Sequence, residues 1–205
     1  PRTALYREAI SRLRSASRNA DHAAAGDRHH TCKYVVWIPT EGLGNRMLSL
    51  VSTFLYALLT DRVLLVHEPP EMEGLFCEPF PGTTWLLPPA DFPHKLDAAA
   101  FSSRSKESYV NMLHNNIIRY GYDAQVLPAY VYLHLETVFL LTESIKLRLQ
   151  NHTFCEEDHR LLNKFDWVVV KSDNYFAVAL FMMPMYRREL ERMFPAKGAV
   201  FHHLG

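Results

Sequence analysis

An α/β fold on a parallel sheet is what this 205-residue sequence predicts, and three features predict it. Short runs rich in β-branched and aromatic residues recur along the chain, the first of them ends in a glycine-bearing turn, and an apolar helical stretch leads from that turn straight into a second run. Strand, glycine turn, helix, strand is a βαβ unit, and such units build parallel sheets. A hydrophobic fraction of 48% is ordinary for a folded chain of this size and argues against disorder, collagen or coiled coil.

Each element follows in order. Lys33 to Pro39 is apolar without alternation, the pattern of a strand buried on both faces. A helix is expected from about Asn45 to Thr60, and a second buried strand over Arg62 to His67. The stretch Met47 to Leu59 is strongly apolar but bounded by Arg46 and by Asp61 and Arg62, short of the roughly 20 residues that span a bilayer, so it reads as a buried core helix. From Glu68 to Pro93, prolines fix φ and remove ladder donors, predicting an irregular excursion packed by aromatics such as Phe80 and Trp85. Tyr130 to Leu135 alternates as a strand, and Asp166 to Lys171 is a third buried strand followed at once by Ser172, Asp173 and Asn174. An amphipathic helix is expected from about Pro184 to Phe194, with proline in its first turn and Leu190, Met193 and Phe194 for packing.

Residues 1–31 differ from the rest, being rich in Ala, Arg, Ser and His, and form a polar, flexible segment ahead of a folded region over 32–205. A basic helix over Ala4 to Arg18 and a solvated tail both fit this stretch. No apolar core of a signal peptide follows Pro1.

Lys and Arg total 22 against 22 Asp and Glu, so bulk charge supplies no attraction to nucleic acid or to an anionic membrane. The three cysteines, Cys32, Cys77 and Cys155, stand far apart with no CxxC pair, which argues against a structural zinc site. In an oxidising compartment an odd count leaves one without a partner in this chain.

Chemistry concentrates at Thr40 to Arg46, between a strand and a helix N-terminus. Gly42 and Gly44 permit backbone conformations barred to other residues and let a ligand approach closely. Free N–H groups and the helix dipole favour an anion, and Arg46, beside Asn45, adds a planar cation suited to phosphate oxygens. A phosphate- or sugar-nucleotide-binding turn and a tight connection that merely uses glycine both fit this pattern. A dinucleotide-binding domain for NAD would find its carboxylate in Glu68, but Met47 stands where the third glycine of G-x-G-x-x-G belongs. No P-loop motif occurs.

Several blocks together are more specific than any one motif: Tyr34 to Ile38 with Gly42 to Arg46, Phe54 to Val66, Leu75 to Phe80, Lys171 to Phe176, and Phe201 to Gly205. In this order they resemble the plant xyloglucan-type galactoside α-1,2-fucosyltransferases, from about Cys32 to the last residue and most loosely over Pro81 to Tyr130. The resemblance implies an inverting Golgi enzyme that moves L-fucose from GDP-fucose to a galactose of a cell-wall polysaccharide such as xyloglucan. Its implied fold is GT-B-like, with two Rossmann-like lobes around a cleft; residues 32–205 would be the N-terminal, acceptor-side lobe and residues 1–31 a stem remnant, the second lobe and the membrane anchor being absent from this chain. On that footing the chain by itself is expected to be inactive, and a non-catalytic lobe that binds glycan or a partner enzyme is the alternative.

The resemblance further implies no metal, which agrees with the lack of any Asp-x-Asp. Asp173, past the end of a buried strand where α/β folds place ligands, becomes the acceptor-side base or hydrogen-bond acceptor, although a turn aspartate between Ser172 and Asn174 fits the same residues. Lys171, Asn174 and Tyr175 would line the acceptor groove, while Gly42, Gly44, Asn45 and Arg46 would face the donor diphosphate. Of His202 and His203 at most one reaches a site, because adjacent side chains diverge on extended backbone. Trp85 and Phe80 could stack on sugars or simply pack. The triplet from Asn151 to Thr153 is a glycosylation sequon suited to a lumenal protein. In that setting the odd cysteine would pair with one in the second lobe, and a homodimer or a complex of Golgi glycosyltransferases is compatible with the family.

Overall fold

The computed structural model describes residues 33–67, 85–87, 101–121, 126–135 and 155–195. Four strands, β1 (Tyr34–Ile38), β2 (Val63–Val66), β3 (Tyr130–Leu135) and β4 (Trp167–Ser172), form one sheet in the order β2-β1-β4-β3, every neighbouring pair parallel. The described helices are α1 (Leu43–Leu59), α2 (Tyr109–His114), α3 (Glu156–Leu162), α4 (Ala177–Phe181) and α5 (Arg187–Met193), the last entered through a 3-10 turn, Pro184–Tyr186. This is the α/β, Rossmann-like arrangement expected from the βαβ signal.

The departures from expectation are local. α1 begins at Leu43 rather than Asn45, so Gly44, Asn45 and Arg46 belong to its first turn. The strand expected over 166–171 lies one residue later, and the closing helix opens in 3-10 geometry. α2, α3 and α4 are five to seven residues long, too short to register as a 3.6-residue period. Glu68, Phe80, Asn151, His202, His203, Cys32, Cys77 and residues 1–31 lie outside the described residues.

β1 and β4 are the inner strands, which is why Val35, Val36, Trp37 and Ile38, and Val168, Val169 and Val170, are all buried. One face of the sheet, carrying Val35, Trp37, Leu64, Val66, Val131, Leu133, Val168 and Val170, packs against α1, α3, α4 and α5 through Leu50, Leu55, Leu162, Leu180 and Leu190. Trp85 packs on this same core. The other face, with Val36, Ile38, Leu65, Tyr132 and Val169, is met by Phe101 and Leu87. α1 is amphipathic rather than wholly buried: Leu43, Met47, Leu48 and Val51 look outward. No described helix is long and apolar enough to cross a membrane.

The amino ends of the strands are gathered by Arg62. Its backbone N–H donates to Ala57 O, closing α1 by a Schellman-type bond around Asp61, which sits at φ +51. Its guanidinium is buried and donates to Leu162 O (2.8 Å), the last residue of α3, and to Tyr34 O and Asp166 O (3.3 Å each) at the starts of β1 and β4. One residue thus meets the C-terminal ends of two helices, its backbone N–H at α1 and its cation at α3, where the dipole is negative. Replacing it removes three charge-assisted bonds and leaves Leu162 O and Asp166 O with only the backbone donors Phe165 N–H and Tyr34 N–H, so Arg62→Met should lower the unfolding free energy by about 2–4 kcal/mol in urea titrations with the slope unchanged.

Candidate functional site

The opposite, carboxyl end of the sheet is where the two chemistry-bearing segments meet. β1 pairs with β4 from Tyr34 opposite Trp167 to Ile38 opposite Lys171, so the turn leaving β1 and the turn leaving β4 emerge side by side. In open parallel sheets, ligands bind outside the carboxyl ends at the point where strand order reverses, and here the chain runs outward from β1 to β2 but returns inward from β3 to β4.

The glycine turn differs from its sequence reading in one respect. Gly42 is the N-cap of α1 with φ −71° and ψ 165°, ordinary extended backbone, and Gly44 is helical; the left-handed residue of the turn is Glu41, at φ +59°. Its carbonyl accepts a 2.7 Å bond from Arg46 Nε, which ties the arginine to the turn it follows. Neither glycine is therefore required by backbone freedom. A Cβ built on Gly42 or Gly44 would meet no atom within 4 Å, so their smallness opens space above the turn instead of relieving a clash inside the chain. No side chain caps the helix, and the first N–H groups of a helix have no intrahelical partner. An accessible, positively polarised end of a 17-residue helix results, with Asn45 exposed beside it.

Two buried hydroxyls fix α1 against its neighbours, and a third bonds within the helix. Trp37 Nε1 donates to Ser49 Oγ (3.1 Å), and that hydroxyl donates to Arg46 O (3.2 Å), connecting β1 to the first turn of the helix. Ser52 Oγ accepts from Ala177 N (3.1 Å), which joins α1 to the start of α4, and Thr53 back-bonds to Ser49 O. Met47, where a dinucleotide fold wants glycine, is among the exposed apolar residues of α1, while the small residues at 49, 52 and 53 are buried.

The turn after β4 is organised by Ser172, whose Oγ accepts from Asn174 N (3.0 Å). Asn174 Nδ2 donates to Leu135 O (2.8 Å) at the end of β3, so this side chain braces the turn as well as bordering it. Asp173 stands half-buried in the middle of that turn, Tyr175 is exposed, and Phe176 returns to the core. Lys171 Nζ lies 3.5 Å from Phe101 O on the face away from α1. The structure thus brings Gly42, Gly44, Asn45 and Arg46 to the end of β1, and Lys171, Asp173, Asn174 and Tyr175 to the neighbouring end of β4.

Two residues at this edge escaped the sequence reading. His67 follows β2, its backbone N–H donating to Trp37 O (3.0 Å), and its Nδ1 is buried without a hydrogen-bond partner among the described residues. His134, in β3, shares a 2.7 Å hydrogen bond with the Tyr132 hydroxyl. Only the strand register reveals that they lie at the same level as Lys171.

Away from the edge, Asp158 is fully buried and accepts hydrogen bonds from Tyr109 (2.6 Å), Tyr120 and Cys155 (2.5 Å). Burial, and then the Asp158 carboxylate, push the Cys155 thiol and both phenols above their ordinary values. Cys155 is an exposed free thiol. Among the described residues no group of three or more His, Cys, Asp or Glu could hold a metal ion.

Comparison with known proteins bears on what this edge is for. A family model described as "Xyloglucan fucosyltransferase" matches residues 1–205. "Galactoside 2-alpha-L-fucosyltransferase" of Arabidopsis thaliana is 43% identical over 205 residues, covering 100% of this chain and 33% of its own length. The Pisum sativum protein of the same name is 45% identical over 174 residues, covering 85% and 29%. "Probable fucosyltransferase 9" of Arabidopsis thaliana is 43% identical over 204 residues, covering 100% and 39%. The chain therefore spans 29–39% of the length of these curated relatives. Among solved structures, a mutant of Arabidopsis thaliana FUT1 in complex with GDP superposes with a TM-score of 0.67 at 42% identity, over 98% of this chain and 40% of that one. With that likeness the sheet and its helices are a Rossmann-like lobe of the GT-B kind.

Burial holds the His67 imidazole below its ordinary value of 6.5. The unfolded chain then binds the proton more tightly than the folded one, so stability is complete above pH 6.5 and declines as pH falls through the lower folded value. Urea unfolding between about pH 7 and pH 5 should show that decline, and His67→Gln should make it shallower.

Proposed function

Because the chain belongs to the xyloglucan fucosyltransferase family, we propose that it carries part of the site for moving L-fucose from GDP-fucose to a galactose of a plant cell-wall polysaccharide such as xyloglucan, in α-1,2 linkage with inversion. The observation that carries this reading is the adjacency of two turns at the carboxyl ends of β1 and β4: one offers an uncapped helix end and an arginine, the other a half-buried carboxylate.

In this scheme the acceptor hydroxyl attacks the anomeric carbon from one side while the bond to GDP breaks on the other. Asp173 takes up, or hydrogen-bonds, the hydroxyl proton, and the N–H groups of the first turn of α1 with Arg46 and Asn45 steady the departing diphosphate without a metal ion. Gly42 and Gly44 leave room for that approach. Lys171 and Tyr175 border the acceptor, and Asn174 holds their turn to β3. Of the alternatives, a nucleotide sugar suits the family better than NAD does.

Since these residues correspond to 39% or less of the relatives named above, we assign the remaining donor contacts to the part of those relatives outside the match. The 205 residues by themselves are then expected to transfer fucose slowly or not at all. The same reading puts the protein in the Golgi lumen, with Asn151 as a glycan acceptor.

In a chain extended to the length of the relatives, Arg46→Ala should weaken GDP binding about tenfold by calorimetry, the scale of one charge-assisted contact. Asp173→Asn should lower kcat by about 10²–10³ while leaving GDP affinity intact. Activity unchanged in both variants would refute the site assignment.

A further inference from the structure

The register sorts one face of the sheet into three cross-strand rows. Nearest the amino ends stand Val63, Tyr34, Trp167 and Tyr130; next come Leu65, Val36, Val169 and Tyr132. One step further, at the carboxyl edge, the same alignment brings His67, Ile38, Lys171 and His134 into line, His67 falling beside Ile38 because Val66 pairs with Trp37. Alternation puts their side chains on the face of Val36, Ile38, Tyr132 and Val169, away from α1. Two contacts agree: Lys171 Nζ reaches the carbonyl of Phe101, which packs on that face, and His134 meets Tyr132 two residues before it.

The final row changes character. The rows before it hold only apolar and aromatic residues, whereas this one holds an ammonium and two imidazoles and no carboxylate. Neighbouring strands lie about 4.8 Å apart, so Lys171 is flanked by His134 at one strand's distance and by His67 at about twice that. His67 Nδ1 is buried with no partner among the described residues, a cost that a bound polar group would remove. Lys171 and His134 already have partners here, the Phe101 carbonyl and the Tyr132 hydroxyl, and an ammonium with three donors and an imidazole with two ring nitrogens can serve an oxyanion besides.

From this row we infer an oxyanion subsite for the carboxylate of an acidic sugar, a uronic acid unit of the acceptor glycan. Its placement selects the acceptor: the helix end and Arg46 proposed for the diphosphate belong to α1, on the other face, while the row is continuous through Lys171 with the Asp173 turn. The carboxylate accepts from Lys171 Nζ and from imidazole N–H groups, with no bond made or broken. The inference rests on the acceptor-side assignment above, and narrows it to glycans that carry acid next to the fucosylated unit.

The test is an NMR titration of the 205-residue chain at fixed pH with oligogalacturonate and with a neutral galactose oligosaccharide of equal length, following histidine ring resonances. The expected result is binding of the acidic oligosaccharide with shifts at His67 and His134, affinity about fivefold lower in both Lys171→Gln and His134→Gln, and no displacement by GDP. Equal affinity for the neutral and acidic oligosaccharides would overturn the inference, as would absence of any shift or displacement by GDP, which would assign the row to the donor. GDP binding that depends on Arg46 is measured separately, so failure here leaves the donor-side reading standing.

Discussion

Everything at the candidate site depends on the parallel pairing of β1 with β4. These strands are more than a hundred residues apart in sequence, and only their hydrogen-bonded ladder brings the glycine turn beside the aspartate turn. Because the strands are parallel, both turns emerge at the same end, and because they are the inner pair, both faces around them are packed and the register is held. A slip by one residue would send Lys171 to the α1 face and bury Val170 on the wrong side.

The two ends of the sheet are built for different purposes. At the amino ends, Arg62 gathers helix C-termini and strand starts into a closed, buried arrangement, and the Tyr56 hydroxyl buried there has its proton held tighter by burial, opposed by the arginine. At the carboxyl ends, the backbone groups of α1 are left uncapped and the glycines leave the space above them open. What holds this open end in shape comes from beneath: the Trp37, Ser49, Arg46 chain of bonds and the Ser52 bond to Ala177 fix α1 to β1 and to α4 through buried hydroxyls. Rigidity thus sits under the site and access above it, the division that a preorganised site requires.

Much of the fold was legible from local pattern. The β1, α1, β2 unit and β4 are marked by apolar runs too uniform for an exposed strand and by one turn with glycines, and their boundaries fall within a residue or two of expectation. The short helices α2 and α4 were not, since a segment of five or six residues completes too few turns to show a period. The glycine turn was located correctly, and of the two properties read for its glycines the geometry supports only the open space beside them: the left-handed residue is Glu41, held by Arg46. Asn174 shows the same gap, because its amide is engaged by a carbonyl of another strand that no sequence spacing connects to it. His67 and His134 were invisible for that reason too. Each looks like an isolated histidine until the ladder aligns it with Lys171.

The central claim is that the turn at Gly42 to Arg46 is kept open for a phosphate-bearing ligand, and Gly44→Ala separates that from a purely structural use of glycine. Alanine is a better helix former and meets no atom at this position, so folding stability should rise by about 0.5 kcal/mol. A methyl group in the space above the helix end should at the same time weaken GDP binding by about tenfold or more. Stability and GDP affinity of Gly44→Ala, measured on the same preparation, should therefore move in opposite directions; a gain in stability with GDP affinity unchanged would contradict the account.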